Sequence, residues 1–459
     1  MADTGDTAWM LASTALVLLM TPGLALFYGG MVRSKSVLNM MMMSLSAMGL
    51  VGVLWVLYGY SLAFGNDVGG GLLGNITDYW GLKGLFVGSY TGDAQSYPLV
   101  GTIPSLVFVG FQATFAIITV ALISGAIADR MRFGAWLVFA GIWATVVYFP
   151  VAHWVFAFDG VTAATGGWIA NTLKAIDFAG GTAVHINAGV AALALAIVLG
   201  KRRGWPREPM RPHNLTLVML GAGLLWFGWF GFNGGSAVGS NGLAGYAILN
   251  TIVATCGAML AWLVVERVRD GKPTSLGAAS GIVAGLVAIT PSCSSVSPLG
   301  AIAVGAIAGV LCALAVGLKF RFGYDDSLDV VGVHLVGGIA GTVLVGFLAD
   351  PGSGAGVAGL FYGGGVDQLW RQVVGAAAVL LYSGILTFVI AFVVKAIFRG
   401  RIRVGEDDEY TGIDETEHAE TAYDFSSHRG LAGVAGTPRP DAATAQAASH
   451  VPAPAGKEG

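Results

Sequence analysis

Residues 183–193 read AVHINAGVAAL and residues 332–342 read GVHLVGGIAGT. Set side by side, the two match Val184 with Val333, His185 with His334, Gly189 with Gly338 and Ala191 with Ala340. Each opens an apolar stretch long enough to cross a bilayer as a helix. Outward from this pair, apolar stretches of about 20 residues predict spans near 8–30, 38–64, 103–127, 134–157, 180–199, 214–235, 243–268, 275–290, 298–320, 331–349 and 372–398. The uncharged block from Pro212 to Val265 is too long for one span and is broken by NGGSAVGSNG at 233–242; the block from Pro273 to Leu318 divides likewise at TPSCSSVSP, 290–298. The histidine segments open the fifth and tenth of these eleven spans. An odd separation sends the two copies across the bilayer in opposite directions, which is the signature of inverted-topology repeats with a shared site near the midplane. The expected fold is therefore an all-α polytopic membrane protein of eleven transmembrane helices, two inverted five-helix repeats (about 8–200 and 212–350) plus a last helix at about 372–398.

Composition agrees. Hydrophobic residues make up 55% of the 459 and charged residues 11%, against about 25% charged in soluble domains, so a set of soluble domains is excluded. The 70 glycines are about twice the usual share and suit close helix-to-helix contacts, where small residues let backbones approach. A net charge of −3 provides no basic patch for nucleic acid, and Cys256, Cys293 and Cys312 form neither a disulfide framework nor a CxxC metal site. Lysines and arginines are strongly one-sided: 18 flank the loops after spans 1, 3, 5, 7 and 9 and the end of the last span, while Lys83, Lys174 and Arg371 are all that the opposite side carries. By the positive-inside rule the N-terminus is outside and the C-terminus cytoplasmic. The N-terminal MADTGDTAWM lacks the basic n-region of a signal peptide, so the first span is expected to stay. Residues 1–403 form the transmembrane domain. The segment 404–425 carries Tyr410, Ile413, Tyr423 and Phe425 among acids and is expected to dock on the cytoplasmic face, while 426–459 is Ala/Pro-rich and expected to be disordered.

No Lys, Arg, Asp or Glu lies well inside any span, which leaves His185 and His334 as the strongest polar groups in the membrane and functional candidates on that ground. Starting from opposite surfaces, they can meet near the centre, share one proton between facing nitrogens and turn their outer nitrogens to a pore. The plainer alternative is a neutral hydrogen bond between helices. Asp177 and Asp329 precede the two histidine helices and are expected to cap their first turns; Asp177 is also a candidate charge at the outer mouth. Phe111 and Phe115 in FQATFA, and Trp226, Trp229 and Phe232 followed by Ser236 in the sixth span, read as packing when taken singly. Beside a histidine-lined path the same rings and hydroxyl can hold a small cation. There is no GxxxxGK[ST], HExxH, TVGYG-like filter or arginine-rich span, so an ATP-driven pump, a zinc protease and a voltage-gated potassium channel are unsupported. No metal site, cofactor or enzymatic activity is expected.

At these residues the chain resembles the ammonium transporter (Amt/Mep/Rh) family, in its bacterial Amt branch, over about residues 8–425. The resemblance rests on DFAGGTAVHINAG (177–189), GKR (200–202), RPHN (211–214), FQATF, GWFGFN with Ser236, GKP (271–273), SGIVAGLVAITP (280–291), DVVGVH (329–334) and GIDETEHAETAY in the tail. It implies selective ammonium or ammonia uptake across the cytoplasmic membrane, with ammonium recruited and deprotonated. His185 and His334 would be twin pore histidines, Phe115 and Phe232 a gate, Phe111, Phe156, Trp229, Ser236 and Asp177 the outer ammonium site, and Thr290 pore-lining. It also implies a homotrimer with one pore per subunit, closed from the cytoplasm by a PII signalling protein. Two departures stand out: HWVF places Phe156 where relatives carry tryptophan, with Trp154 and Trp168 nearby to compensate, and His418-Ala419-Glu420 replaces a glycine-spaced motif. Two further readings remain open: an ammonium sensor signalling through its tail, and a membrane redox protein with His185 and His334 as axial haem ligands.

Overall fold

The computed structural model describes residues 1–86, 89–91 and 94–423. Ten of its helices are long and apolar enough to cross a membrane: α1 Thr4–Met31, α2 Val37–Phe64, α3 Ser105–Ile127, α4 Phe133–Phe156, α5 Gly181–Leu199, α6 Leu215–Gly235, α7 Gly242–Arg269, α9 Pro298–Phe322, α10 Val331–Leu348 and α11 Asp367–Ile397. Between α7 and α9 lies α8, Ser275–Ile289, apolar but shorter and buried almost throughout. The chain is a multi-pass helical membrane protein. Two short helices follow, α12 Glu406–Thr411 and α13 Ile413–His418. The only strands among the described residues are β1 Ser89–Thr91 paired antiparallel with β2 Ala94–Ser96, and β3 Leu99–Val100 paired antiparallel with β4 Ile103–Pro104, all in the connection between α2 and α3.

The helix starts follow from the sequence. Asn214, Asn241, Thr274 and Ser297 each stand just before an apolar run, and each side chain accepts a backbone N–H of the first turn, satisfying donors that lipid cannot. Helix packing uses the glycines: Cβ atoms added at Gly231 and Gly285 would stand 2.7 Å from Leu16 Cβ and Ala258 Cβ respectively. Those two positions seat α6 on α1 and α8 on α7. The helices α5 and α10 cross at the matched pair Gly189 and Gly338, each one turn after a histidine on the same helix face. A Cβ at Gly189 would lie 2.5 Å from Leu335 N and one at Gly338 would lie 3.1 Å from His185 Cβ.

The tail segment lies against the helix ends nearest α1 and α2. Asp414 accepts the N–H groups of Leu38 (3.0 Å) and Asn39 (2.8 Å) at the start of α2, Glu417 accepts that of Phe133 (3.0 Å) at the start of α4, and His418 Nε2 is 3.0 Å from Asn39 Oδ1. Glu409 receives Arg203 N at 2.7 Å and the Arg403 guanidinium at 2.6 Å. Acidic side chains on helix N-termini are stabilising because they meet unpaired N–H groups and the positive end of the dipole. Phe425 and the expected disordered tail, 426–459, lie outside the described residues.

Candidate functional site

Both histidines sit in π-helical turns, Gly181–Ile186 at the start of α5 and Val331–Leu335 at the start of α10. Such turns widen a helix by one residue and re-aim its side chains. His185 and His334 are both buried, their Nδ1 atoms 3.2 Å apart and their rings 19° from parallel. One Nδ1 must donate and the other accept. With both rings neutral, the donor's Nε2 is then bare and the acceptor's Nε2 carries a proton, so the pair offers one acceptor and one donor to whatever passes. His185 Nε2 is buried with no hydrogen-bond partner among the described residues. The two rings border a narrow cavity of about 10 Å³, walled by Met20, Leu24, Ile118, Val184 and Leu225, which is room for a molecule the size of one water.

Phe115 and Phe232 close one end of this cavity as a stacked pair, centroids 4.2 Å apart. Beyond them opens a larger cavity of about 250 Å³ whose lining includes Gln112, Phe115, Phe156, Phe178, Ser236 and Thr102. Ser236 Oγ donates to Phe232 O at 2.8 Å, so its proton is occupied and its lone pairs are the part it can present to the cavity. Phe156 stands edge-on to Phe115 at 6.4 Å. Trp154 donates to Leu72 O and packs on Trp168; neither indole borders the cavity, so no tryptophan takes over from Phe156.

Of the remaining site residues predicted from sequence, Trp229 borders the histidine cavity, while Phe111, Thr290 and Asp177 border neither cavity and support them from behind. Phe111 packs edge-on against Phe115 at 4.9 Å and borders neither cavity. Trp229 lies at the histidines, stacked on His185 at 5.4 Å and 16°, with its indole N–H on Thr290 Oγ1 at 2.9 Å. Thr290 in turn donates to Leu286 O, so it fixes Trp229 instead of lining the path. Asp177 is buried, with Oδ1 accepting Gly180 N and Gly181 N (2.8 and 2.6 Å) and Oδ2 accepting Thr182 N and Ala183 N (2.8 and 3.1 Å) and the Thr182 hydroxyl. It caps the π turn that carries His185.

The second cap differs from the expectation. Asp329 pairs with Lys319 at 2.7 Å from a left-handed backbone position, φ +62°. The first turn of α10 is capped by Asp326, which accepts Val330 N at 3.1 Å and Val331 N at 2.7 Å. Asp326 precedes His334 by eight residues, as Asp177 precedes His185, and a π turn needs that longer reach. Burial pushes Asp326 up to about 6 against the pull of Lys319. Next to it, burial alone would raise Asp325, but the Arg202 guanidinium, bonded to both its oxygens at 2.8 and 2.9 Å, holds it below the usual carboxylate range.

The direct Nδ1 to Nδ1 contact leaves no space for a porphyrin plane, so the pair does not fit axial haem ligation. Gln112 and Phe178, both lining the larger cavity, were not singled out from sequence; each is the neighbour of a residue that was.

Comparison with known proteins identifies the family. The Ammonium Transporter Family model matches residues 8–423. A Mycobacterium bovis protein described as an ammonium transporter is 69% identical over 437 residues, covering 92% of this chain and 91% of its own. The crystal structure of Candida albicans Mep2 superposes with a TM-score of 0.79 at 33% identity, over 89% of this chain and 88% of that one. A sensor Amt protein superposes with a TM-score of 0.81 at 28% identity, over 90% and 98%. The chain belongs to the ammonium transporter family.

Proposed function

We propose that the chain takes up ammonium by gathering the ion in the outer vestibule, where it gives one proton to solvent water, and passing the resulting ammonia between Phe115 and Phe232 to the paired histidines. The observation that carries this reading is the position of the His185–His334 contact directly behind the stacked phenylalanines, in a cavity one small molecule wide. Ammonium and potassium are nearly equal in size, so selectivity must be chemical. Phe156 and Phe115 attract any small cation by their ring faces, but only ammonium can donate to the Ser236 lone pairs and then release a proton. Ammonia that leaves water loses hydrogen bonds, and the bare and protonated Nε2 atoms of the pair replace one of each kind. Potassium finds no ring of oxygens to replace its hydration. Phe111, Trp229 and Thr290 hold the gate and the His185 ring in place, and Asp177 anchors the turn beneath the vestibule.

The topology we assign is eleven spans, N-terminus outside and C-terminus in the cytoplasm, with α1–α5 and α6–α10 as inverted repeats and α11 added. Ile176, nine residues before His185, and Thr342, eight residues after His334, both bond the same Gln372 side chain, which supports opposite directions for α5 and α10. The matched π turns and eight-residue cap spacing support the repeat. We assign residues 404–425 to a docked cytoplasmic segment, the whole to the cell membrane as a homotrimer, and a PII signalling protein as its cytoplasmic partner, on family membership. Transport is favoured over sensing because the 69% identical relative is described as a transporter, against 28% identity to the sensor. The test is ammonium-driven flux into liposomes holding His185→Ala or His334→Ala protein, with matched potassium gradients. At least one should lose ammonium flux or potassium exclusion; unchanged behaviour of both removes the histidines from the mechanism.

A further inference from the structure

The last long helix, α11, has no counterpart in either five-helix unit, yet it carries the most completely satisfied buried amide in contact with the histidine helices. Gln372 is fully buried. Its Oε1 accepts Ile176 N at 2.6 Å and the Gln368 amide at 2.9 Å, and its Nε2 donates to Ile176 O at 2.7 Å and Thr342 O at 3.1 Å. Both lone pairs and both protons of the carboxamide are used, so its orientation is fixed. Ile176 precedes Asp177, whose carboxylate caps the turn bearing His185; Thr342 lies two turns beyond His334 on α10. Farther along α11, Ser383 donates to Asn187 O at 3.1 Å, two residues past His185.

We infer that Gln372 is a positioning residue for transport: by tying the Asp177 segment to α10 through α11, it sets the distance between His185 and His334. This rests on the twin-histidine reading above. The chemistry demands an amide, because the same side chain must accept from one backbone group and donate to two others, and neither a hydrocarbon nor an ionised acid does both. Without it, the half-buried Ile176 N and Ile176 O lose their partner and Thr342 O, which keeps its own helix bond, loses its link to that segment. Unpaired buried groups are costly enough to shift local structure, and small shifts in reacting geometry cost rate steeply.

The test uses ammonium-evoked currents of full-length protein in liposomes, with Gln372→Met and Gln372→Glu beside wild type and His185→Ala, between about pH 5 and pH 8. The methionine keeps the volume and loses every bond, so current should fall about tenfold at all pH values. A protonated glutamic acid can still accept Ile176 N and donate to Ile176 O, whereas an ionised one cannot donate. The charged and titratable groups on the elements packed against it are Arg371, paired with Asp367 on its own helix, Lys174 and Asp177 on the segment it holds, and His185 and His334 on α5 and α10, and they are common to wild type and both Gln372 variants. The glutamate variant should therefore approach wild type on the acid side and fall about tenfold behind it on the alkaline side. If the methionine variant fails to fold, the acid rescue of the glutamate variant decides alone. Wild-type currents in both variants at every pH, or an equal loss with no acid rescue, would overturn the positioning role. Wild-type current from His185→Ala would instead overturn the twin-histidine reading, whatever the Gln372 variants do.

Discussion

Gly189→Ala is a one-methyl change whose effect can be worked out from the helix crossing. The added Cβ would lie 2.5 Å from Leu335 N and 2.7 Å from Leu335 Cα and Cβ, where ordinary contact begins at 3.4 Å. These are mostly backbone atoms of the residue that follows His334, and they have no rotamer by which to retreat. The helices α5 and α10 must therefore part by about 0.9 Å at this level. The histidine nitrogens, now 3.2 Å apart, would open toward 4 Å, roughly past the limit of a hydrogen bond. Overpacking of this kind costs about 1–3 kcal/mol, and the lost bond adds about 1 kcal/mol. Gly338→Ala is the internal comparison, because its nearest neighbours stand at 3.0–3.1 Å and need yield by only a few tenths of an ångström. Thermal unfolding in detergent and ammonium-evoked currents in liposomes should both rank wild type, Gly338→Ala and Gly189→Ala in that order, with current lost by roughly a hundredfold in the last. A Gly189→Ala protein that transports and melts as wild type does, or one less impaired than Gly338→Ala, would refute the crossing geometry as the determinant of histidine spacing.

Phe156→Trp puts the stronger cation–π partner into the vestibule and should tighten half-saturation for ammonium by about two- to fivefold, read from the concentration dependence of the current; weaker apparent binding would count against the vestibule assignment. Asp177→Asn replaces an oxygen that now accepts Thr182 N, Ala183 N and the Thr182 hydroxyl, or the one accepting Gly180 N and Gly181 N, by an NH2 group facing those donors. It should lower stability by about 2–4 kcal/mol, measured by thermal shift, and reduce current with it. Asp326 titrates near 6 in the folded protein because burial raises it, above the ordinary carboxyl value. Its stabilising contribution is complete at acid pH below that ordinary value and fades as pH rises through about 6. Asp326→Asn should therefore flatten that part of the stability-against-pH curve, and an unchanged slope would argue that another group sets it.

The spans and the histidine pair were legible because lipid enforces simple rules: long uncharged runs, polar caps at their starts, and few strong polar groups within. Gly189 and Gly338 were legible as a matched pair, although their purpose, letting two backbones meet one turn from the histidines, emerged only with the crossing. The cap of α10 was misread because Asp329 is nearer in sequence to its helix. The wider π turn reaches back to Asp326, and the eight-residue spacing shared with Asp177 was the signal available. Trp229, Phe111 and Thr290 were recognised as a group, but only Trp229 faces a cavity while Phe111 and Thr290 back a ring, a choice set by helix rotation, which aromatic content does not encode. Gln372 gave no sign in sequence, since a glutamine near a span end looks like an interfacial residue until Ile176 and Thr342 are brought to it.

The most direct test of the whole account is the current from purified protein in liposomes on a solid support, after ammonium jumps and matched potassium jumps, paired with an internal-pH dye. The account expects a protein-dependent ammonium response, as current or as internal alkalinisation if ammonia crosses alone, with no response to potassium. An equal response to potassium, or silence in both readouts from protein shown to be folded, would contradict it.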